Sequence, residues 1–317
     1  MRHALFGLAC VLALSCWAAV AQAEDAPADA DVRVDGVWQP PSGLSQIPIW
    51  PNGAPDMEGV FQPGESHNGW SAFDVTTPTM TVFPPKGKNT GVAVVVFPGG
   101  GFRAVVITRG GVEICDWMSA KGITCILSKY RVPKSNHHYD ADCDCHVTPK
   151  VRRALQDAQR TIKLVRSKAK ELNIDPERIG AMGFSAGGYL VVQTSNIFTP
   201  AYKPVDDVDK FSSRPDFAIA FYPGHICRSD TTLDPGLRVT NKTPPTFLLQ
   251  AWDDPLNRIC NSTIYARALN DAGVPSEVHL FAKGGHSFGL KPAALRVVEF
   301  WPPLVESWLK EIGIVRP

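Results

Sequence analysis

Residues 179–188 read Ile-Gly-Ala-Met-Gly-Phe-Ser-Ala-Gly-Gly. The first six are apolar or small, a pattern that predicts a buried β-strand. The strand leads directly into Gly183-Phe184-Ser185-Ala186-Gly187, which matches the pattern G-x-S-x-G, and a helical stretch follows. Small residues around a serine allow the chain to turn sharply, so that the hydroxyl stands clear of the sheet. In this strand-to-helix setting the pattern predicts a nucleophilic Ser185 rather than a turn used only for packing.

Short apolar runs alternate with helical stretches on both sides of this motif. The predicted strands are 91–97, 124–128, 179–184, 217–222, 246–251 and 277–281. The predicted helices are 111–121, 151–172, 189–194, 260–272 and 292–312, the last interrupted by Pro302 and Pro303. Because several of the strands are apolar throughout, we expect a sheet that is covered on two faces. The order of elements predicts the α/β class, with a mostly parallel central sheet and helices on both faces.

A glycine-rich turn, Pro98-Gly99-Gly100-Gly101-Phe102, follows the predicted strand at 91–97. A glycine turn in this place can bring backbone N–H groups close to a substrate carbonyl. We predict an oxyanion hole formed by the N–H groups of Gly100, Gly101 and Ala186. The alternative is a flexible turn without function, but its position ahead of the Ser185 motif favours the oxyanion hole.

A general base and an acid that orients it are expected after the serine in the chain. Asp253 and Asp254 follow the predicted strand at 246–251, and His286 lies in a glycine-rich loop after the next strand. His286 is therefore the predicted base for Ser185, and one of the two carboxylates is expected to fix its tautomer.

Seven stretches of the chain together resemble one family. They are PGGGF (98–102), SKYRVP (128–133), LQDAQR (155–160), IDPERIGAMGFSAGG (174–188), RPDFAIAFYPG (214–224), TPPTFLLQAWDD (243–254) and GGHSFGL (284–290). From residue 91 onwards the chain resembles the acetylxylan-esterase-like branch of the α/β-hydrolases, which are relatives of dienelactone hydrolases and prolyl-oligopeptidase-type domains. The resemblance implies the α/β-hydrolase fold and assigns the first carboxylate, Asp253, to a triad with Ser185 and His286. Asp254 is then its neighbour.

The composition narrows the range of partners. The chain has 317 residues, with 32 Lys and Arg against 31 Asp and Glu, so no basic excess indicates nucleic acid or a membrane surface. An insertion at 137–146 carries Asp, His and Cys residues, but it lacks the glycine and the distal glutamate of a calcium loop. We predict neither a metal nor a cofactor, because the chemistry of Ser185 needs none. A structural metal at 137–146 remains the alternative. The sequence leaves the oligomeric state open.

The N-terminus has the pattern of a secretory signal. Arg2 and His3 precede an apolar run at 4–20 that ends in Ala21-Gln22-Ala23. This pattern predicts cleavage after Ala23 and export to the periplasm or the medium. We expect an irregular leader at 24–62 and a catalytic domain at 63–317.

Six cysteines remain in the predicted mature chain. We expect the four in predicted loops, Cys143, Cys145, Cys227 and Cys260, to form two disulfides, as exported proteins permit. Cys115 and Cys125 fall in a predicted helix and a predicted strand, and we expect them to be buried free thiols.

The resulting hypothesis is a secreted serine esterase that hydrolyses short acyl esters, acetyl first, of plant cell-wall carbohydrate such as acetylated xylan. The acyl group and the carbohydrate are implied by the family resemblance. Three alternatives remain: a prolyl-oligopeptidase-like peptidase, a general carboxylesterase or lipase, and a carbohydrate-binding module without catalysis. A peptidase of that kind needs a gating domain, and an intact serine, aspartate and histidine set disfavours a binding module.

Overall fold

The computed structural model describes residues 32–58, 64–132, 139–140, 145–146, 151–290 and 297–316. The predicted signal segment at 1–23 and both ends of the predicted leader, 24–31 and 59–62, lie outside the described residues. So does Cys143, with most of the insertion at 137–146.

An eight-stranded sheet forms the centre of the fold. Its strands, numbered along the chain, are β1 (Gln46–Pro48), β2 (Thr79–Phe83), β3 (Ala93–Phe97), β4 (Thr124–Lys129), β5 (Ile179–Phe184), β6 (Phe217–Phe221), β7 (Thr246–Ala251) and β8 (Ser276–Phe281). In space they follow the order β8-β7-β6-β5-β3-β4-β2-β1. The pairs from β8 through β4 are parallel, whereas β2 pairs antiparallel with both β4 and β1. The carboxyl ends of β3, β5, β7 and β8 therefore meet at one edge of the sheet.

Within the described part of the chain, five α-helices cover the two faces of this sheet. They are α1 (Glu113–Ala120), α2 (Arg152–Ser167), α3 (Ala186–Asn196), α4 (Cys260–Asp271) and α5 (Trp301–Glu311). Helices α2 and α3 pack against each other, and α3 also contacts β3, β5 and β6. The indole of Trp117 on α1 meets that of Trp301 on α5 edge-on, with 5.1 Å between ring centroids. Among the described helices, none combines the length and the apolar character that crossing a bilayer requires.

Several short strands and helical turns lie outside the central sheet. A four-stranded antiparallel sheet is made of Val34–Asp35, Ser66–His67, Ala72–Phe73 and Ala104–Val105. Two short hairpins pair Tyr139–Asp140 with Cys145–His146 and Cys227–Ser229 with Thr232–Leu233. A π-helical turn spans Thr108–Val112, and 3₁₀ turns span Asp207–Lys210 and Val297–Phe300.

From β3 onwards the predicted order of strands and helices agrees with the structure, and the fold is the expected α/β type. Three elements differ. No strand was predicted at Thr79–Phe83, which pairs antiparallel with β4 and β1 in the main sheet. Within the expected irregular leader, Gln46–Pro48 forms an edge strand of the main sheet. The last helix begins at Trp301, so Pro302 and Pro303 occupy its first turn rather than interrupting it. Proline is tolerated there because the first N–H groups of a helix have no partner within the helix.

Buried polar contacts fasten the N-terminal segment to the domain. Asp157 on α2 accepts hydrogen bonds from the indole of Trp50 at 2.8 Å and from the guanidinium of Arg131 at 2.8 Å. Lys129 donates to Glu65 at 2.6 Å, with both side chains almost completely buried. Removing one partner of such a buried pair leaves an uncompensated charge, which lowers the free energy of unfolding by about 3–5 kcal/mol. These contacts explain why the N-terminal segment follows a defined path across the sheet edge.

The structure changes the expected disulfides. Cys115 and Cys125, predicted to be free thiols, form a disulfide that joins α1 to β4. Their positions in a helix and a strand were predicted correctly, but those two elements are adjacent and bring the Cα atoms to 5.1 Å. Cys227 pairs with Cys260, and both belong to the set of four that was expected to form disulfides. Cys260 is the first residue of α4, where the predicted helix at 260–272 also begins. The expectation for Cys143 and Cys145 stays a prediction.

Both described disulfides should contribute to stability, and the longer chain loop should contribute more. The sequence separations are 10 residues for Cys115–Cys125 and 33 for Cys227–Cys260. A disulfide reduces the conformational entropy of the unfolded chain, and for loops of these lengths this stabilises the folded state by about 3 and about 4 kcal/mol, respectively. Replacing each pair with serine should lower the free energy of unfolding by these amounts in urea titrations. An unchanged denaturation midpoint for either double variant would show that the pair is not bonded in the protein.

Candidate active site

Ser185 lies at the turn between β5 and α3, with φ of 54° and ψ of −116°. Its N–H donates to the carbonyl of Phe221 on the neighbouring strand at 3.0 Å. This sharp turn is possible because glycines stand where the backbone approaches neighbouring carbonyl groups too closely for a side chain. A Cβ on Gly187 would lie 1.9 Å from the carbonyl oxygen of Phe97, and one on Gly183 would lie 2.3 Å from the carbonyl oxygen of Gly187. The glycines of the motif therefore hold the serine at the edge of the sheet.

His286 links this serine to a carboxylate. Its Nε2 lies 2.9 Å from Oγ of Ser185, and its Nδ1 lies 2.8 Å from Oδ2 of Asp254. The side chain of His286 is 7% exposed and that of Asp254 is 1% exposed, so both polar contacts are shielded from bulk water. The structure thus brings together the serine and the histidine that the sequence analysis selected.

The partner of the histidine is Asp254, and the prediction of Asp253 for this place is wrong. Oδ1 of Asp253 instead accepts hydrogen bonds from the N–H groups of Gly284 and Gly285, each at 2.8 Å. Successive residues at the end of a strand point in different directions, and here the second one turns back towards the imidazole. Asp253 fastens the loop that carries His286, while Asp254 contacts the imidazole itself.

The orientation of Asp254 is fixed by contacts that the sequence analysis did not identify. Its Oδ1 accepts from the N–H groups of Leu256 and Asn257, both at 2.9 Å, which leaves Oδ2 for the histidine. Gln250, completely buried on β7, donates to the carbonyl of Asn257 at 2.7 Å. A glutamine that follows the apolar run Phe-Leu-Leu of this strand, four residues before the carboxylate, is the one sequence signal of this role.

Tyr222 packs against the other side of the imidazole, with 4.6 Å between ring centroids. Burial raises the pKa of its phenol above the usual range, and the negative charge of Asp254 raises that pKa further. The phenol therefore stays protonated and donates to the carbonyl of Phe288 at 3.2 Å.

The glycine-rich turn predicted as an oxyanion hole lies beside Ser185 in the same cleft. Gly100 has φ of 128°, and a Cβ there would lie 2.2 Å from the carbonyl oxygen of Ala104. The buried hydroxyl of Tyr130 donates to the carbonyl of Pro98 at 2.6 Å and supports the turn from behind. Within the described residues, the N–H groups of Gly100 and Gly101 donate to no backbone carbonyl. They are thus available to a ligand.

A cleft of about 540 Å³ opens above Ser185 and His286. This volume is in the range of small-molecule sites. Its walls are formed by the glycine-rich turn, Ala186, Tyr222 and Phe288, and by the polar side chains of Arg103, Arg109, His225 and Asn257. Among the residues that the structure describes, no cluster of histidine, cysteine and acidic side chains has the arrangement of a metal site.

Two family models match the chain. The prolyl oligopeptidase family matches residues 152–301, and the BD-FAE family matches residues 81–199. Together they span the strands that carry the serine, the glycine-rich turn and the aspartate pair.

The most informative solved relative is an acetyl ester-xyloside bifunctional hydrolase from Caldicellulosiruptor lactoaceticus. It is 31% identical, with a TM-score of 0.68, and the match covers 86% of this chain and 97% of that one. The chain belongs to the acetylxylan-esterase-like branch of the α/β-hydrolases. A curated acetylxylan esterase from Xylanibacter ruminicola is 28% identical over 66% of this chain and 43% of its own length.

Esterase 2 from Thermogutta terrifontis shares the fold of this acetylxylan-esterase-like protein, with 23% identity, a TM-score of 0.62 and coverage of 83% and 96% of the two chains. The chain spans less than half the length of the curated relatives that it matches.

The stretches that resemble this branch serve two purposes in the structure. GFSAGG and QAWDD carry Ser185 and Asp254, which meet at His286. SKYRVP and LQDAQR instead carry structural groups, since Tyr130 supports the glycine-rich turn and Arg131 pairs with Asp157. A shared motif in this branch of the α/β-hydrolases is therefore not by itself evidence of a catalytic residue.

The two neighbouring carboxylates should respond differently to the same substitution. Asp254→Asn should lower kcat by up to about ten-thousandfold, because the amide holds the wrong tautomer of His286. Asp253→Asn keeps an oxygen that can accept from Gly284 and Gly285, so a loss of about tenfold or less is expected. Steady-state kinetics on a p-nitrophenyl ester compares the two variants directly. A severe loss in Asp253→Asn with a mild one in Asp254→Asn would contradict the assignment.

Proposed function

We propose that the protein is an exported serine esterase that removes short acyl groups, acetyl first, from plant cell-wall carbohydrate such as acetylated xylan. The observation that carries this proposal is the continuous chain of contacts from Asp254 through His286 to Ser185, open to a cleft with available backbone N–H groups. Export rests on the signal-like residues 1–23.

Acylation begins at Ser185. Nε2 of His286 accepts the hydroxyl proton while Oγ attacks the ester carbonyl, and Asp254 stabilises the imidazolium that forms. The carboxylate of Asp254 accepts a hydrogen bond from Nδ1 and so fixes the tautomer of His286. Nε2 then returns its proton to the departing alcohol, which leaves the acyl group on Ser185.

The oxyanion of each tetrahedral intermediate is proposed to accept hydrogen bonds from the N–H groups of Gly100, Gly101 and Ala186. Ala186 is the first residue of α3, where unpaired N–H groups and the helix dipole both favour negative charge. Preformed donors of this kind contribute about 3–4 kcal/mol each to transition-state stabilisation. Water then attacks the acyl-enzyme, with His286 again as the base, and frees the acid.

Support for an acetylated carbohydrate comes from the relatives, because two of them have acetylxylan or acetyl ester-xyloside activity in their names. The match to the prolyl oligopeptidase family keeps a peptidase as the competing hypothesis. Ester and peptide substrates share the acylation steps, so only turnover measurements distinguish the two.

Replacing the nucleophile should abolish turnover. Ser185→Ala should lower kcat by about a millionfold, the scale seen when a triad serine is removed, while the melting temperature stays close to that of the wild type. Hydrolysis of p-nitrophenyl acetate measures the loss. Ser287→Ala in the same cleft is the matched control, because the hydrogen bonds described for the imidazole of His286 go to Ser185 and Asp254 and not to the hydroxyl of Ser287. Retention of more than a tenth of the activity by Ser185→Ala would remove this serine as the nucleophile.

The substrate class is tested by a comparison within the wild type. Acetate release from acetylated xylan should exceed release from deacetylated controls, and p-nitrophenyl acetate should be cleaved faster than the octanoate. Cleavage of a prolyl-p-nitroanilide at a higher kcat/KM than that of the acetate would favour the peptidase.

A further inference from the structure

Two arginines lie in the wall of the cleft above Ser185. Arg103 precedes the short strand Ala104–Val105, and Arg109 lies in the π-helical turn Thr108–Val112. Both follow the glycine-rich turn in the chain, and both are exposed. Neither has a role in the acyl-transfer steps proposed above.

Both guanidinium groups lack an acidic partner within the described residues. No aspartate or glutamate is among the residues that line the cleft, and neither arginine makes an ion pair there. The guanidinium of Arg109 lies over the ring of Trp70, at 5.8 Å from the ring centroid. Thr108 fixes this arrangement, because its N–H and hydroxyl donate to the carbonyls of Trp70 and Gly69 at 3.1 and 3.0 Å. Among the described residues, no acidic side chain therefore neutralises the charge of Arg109 at the cleft.

Charge of one sign in a concave site attracts ligands of the opposite sign. A guanidinium in particular binds a carboxylate through two parallel hydrogen bonds. We propose that this cleft selects esters that carry a carboxylate in addition to the scissile ester, and that Arg103 and Arg109 are the specificity-determining residues. This inference rests on the proposed esterase function and adds the charge of its substrate.

The carboxylate must lie away from the scissile carbonyl. A second negative charge next to Ser185 would oppose the oxyanion that forms in the transition state. The additional carboxylate therefore lies on a distant part of either the alcohol or the acyl group. The experiment below distinguishes these two positions.

Two matched substrate pairs test the proposal. For the alcohol side, 4-acetoxybenzoate is compared with 4-acetoxybenzamide; for the acyl side, mono-p-nitrophenyl glutarate is compared with p-nitrophenyl pentanoate. The measured quantity is the ratio of kcat/KM for the anionic ester to that for the neutral ester. Comparing this ratio between variants cancels the intrinsic reactivity of each ester.

Arg103→Gln and Arg109→Gln should each lower the ratio for one of the pairs by about threefold to tenfold, and the double variant by more than tenfold. The change should appear mainly in KM, should shrink in high salt and should be partly reversed by lysine at the same position. Arg267→Gln is the control, since Arg267 is an exposed arginine on α4 that pairs with Asp271 away from the cleft. An unchanged ratio in the double variant, or the same fall in the control, would overturn the proposal.

The failure of this inference and that of the esterase function give different results. Ser185-dependent cleavage of the neutral esters with an unchanged ratio would leave the esterase function intact and remove the role of the arginines. If no ester is cleaved, the esterase function fails. Calorimetric binding of the stable amide 4-acetamidobenzoate then decides the inference, because the double variant should bind it more weakly than the wild type. Equal affinity of the wild type and the double variant for 4-acetamidobenzoate would overturn the proposed role of the arginines.

Discussion

The close approach of α3 to the end of β3 is the constraint on which the rest of the site depends. At Gly187 the helix passes so near the carbonyl oxygen of Phe97 that even a methyl group would overlap it. This contact forces the chain to reverse within one residue, and Ser185 adopts an unusual positive φ as a result. Such strained backbone costs about 1–3 kcal/mol and persists only where the surroundings determine it. Here the completely buried strands β3 and β5 provide those surroundings.

The same edge of the sheet collects the other parts of the site, and separate polar contacts hold each loop. Tyr130 fastens the glycine-rich turn after β3, and Asp253 fastens the histidine loop after β8. Gln250 fastens the turn after β7 that presents Asp254. Each of these contacts acts on a different loop. A site assembled from rigid strand ends can then be tuned through residues of the cleft wall, as we propose for Arg103 and Arg109.

Much of this arrangement could be predicted from the sequence, because it depends on local patterns. The alternation of apolar strands and helices gives six of the eight strands of the sheet, and the G-x-S-x-G pattern after a buried strand gives Ser185. The choice between Asp253 and Asp254 could not be made, since both residues leave the same strand and only the path of the following turn separates them. The Cys115–Cys125 disulfide was missed for a similar reason, because its two elements are buried and their distance depends on tertiary packing. Gln46–Pro48 is too short to show a strand pattern, and its pairing with β2 depends on distant contacts such as that of Trp50 with Asp157.

The central claim is that Ser185 attacks the substrate while the neighbouring backbone N–H groups stabilise the oxyanion. A crystal structure of the protein after reaction with an alkyl p-nitrophenyl phosphonate tests both parts at once, since the adduct mimics the tetrahedral intermediate. The account predicts phosphorus bonded to Oγ of Ser185, with the phosphonyl oxygen about 2.7–3.1 Å from the N–H nitrogen of Ala186 and from that of Gly100 or Gly101. A phosphonyl group on another residue, or one on Ser185 whose oxygen faces solvent away from these groups, would contradict it.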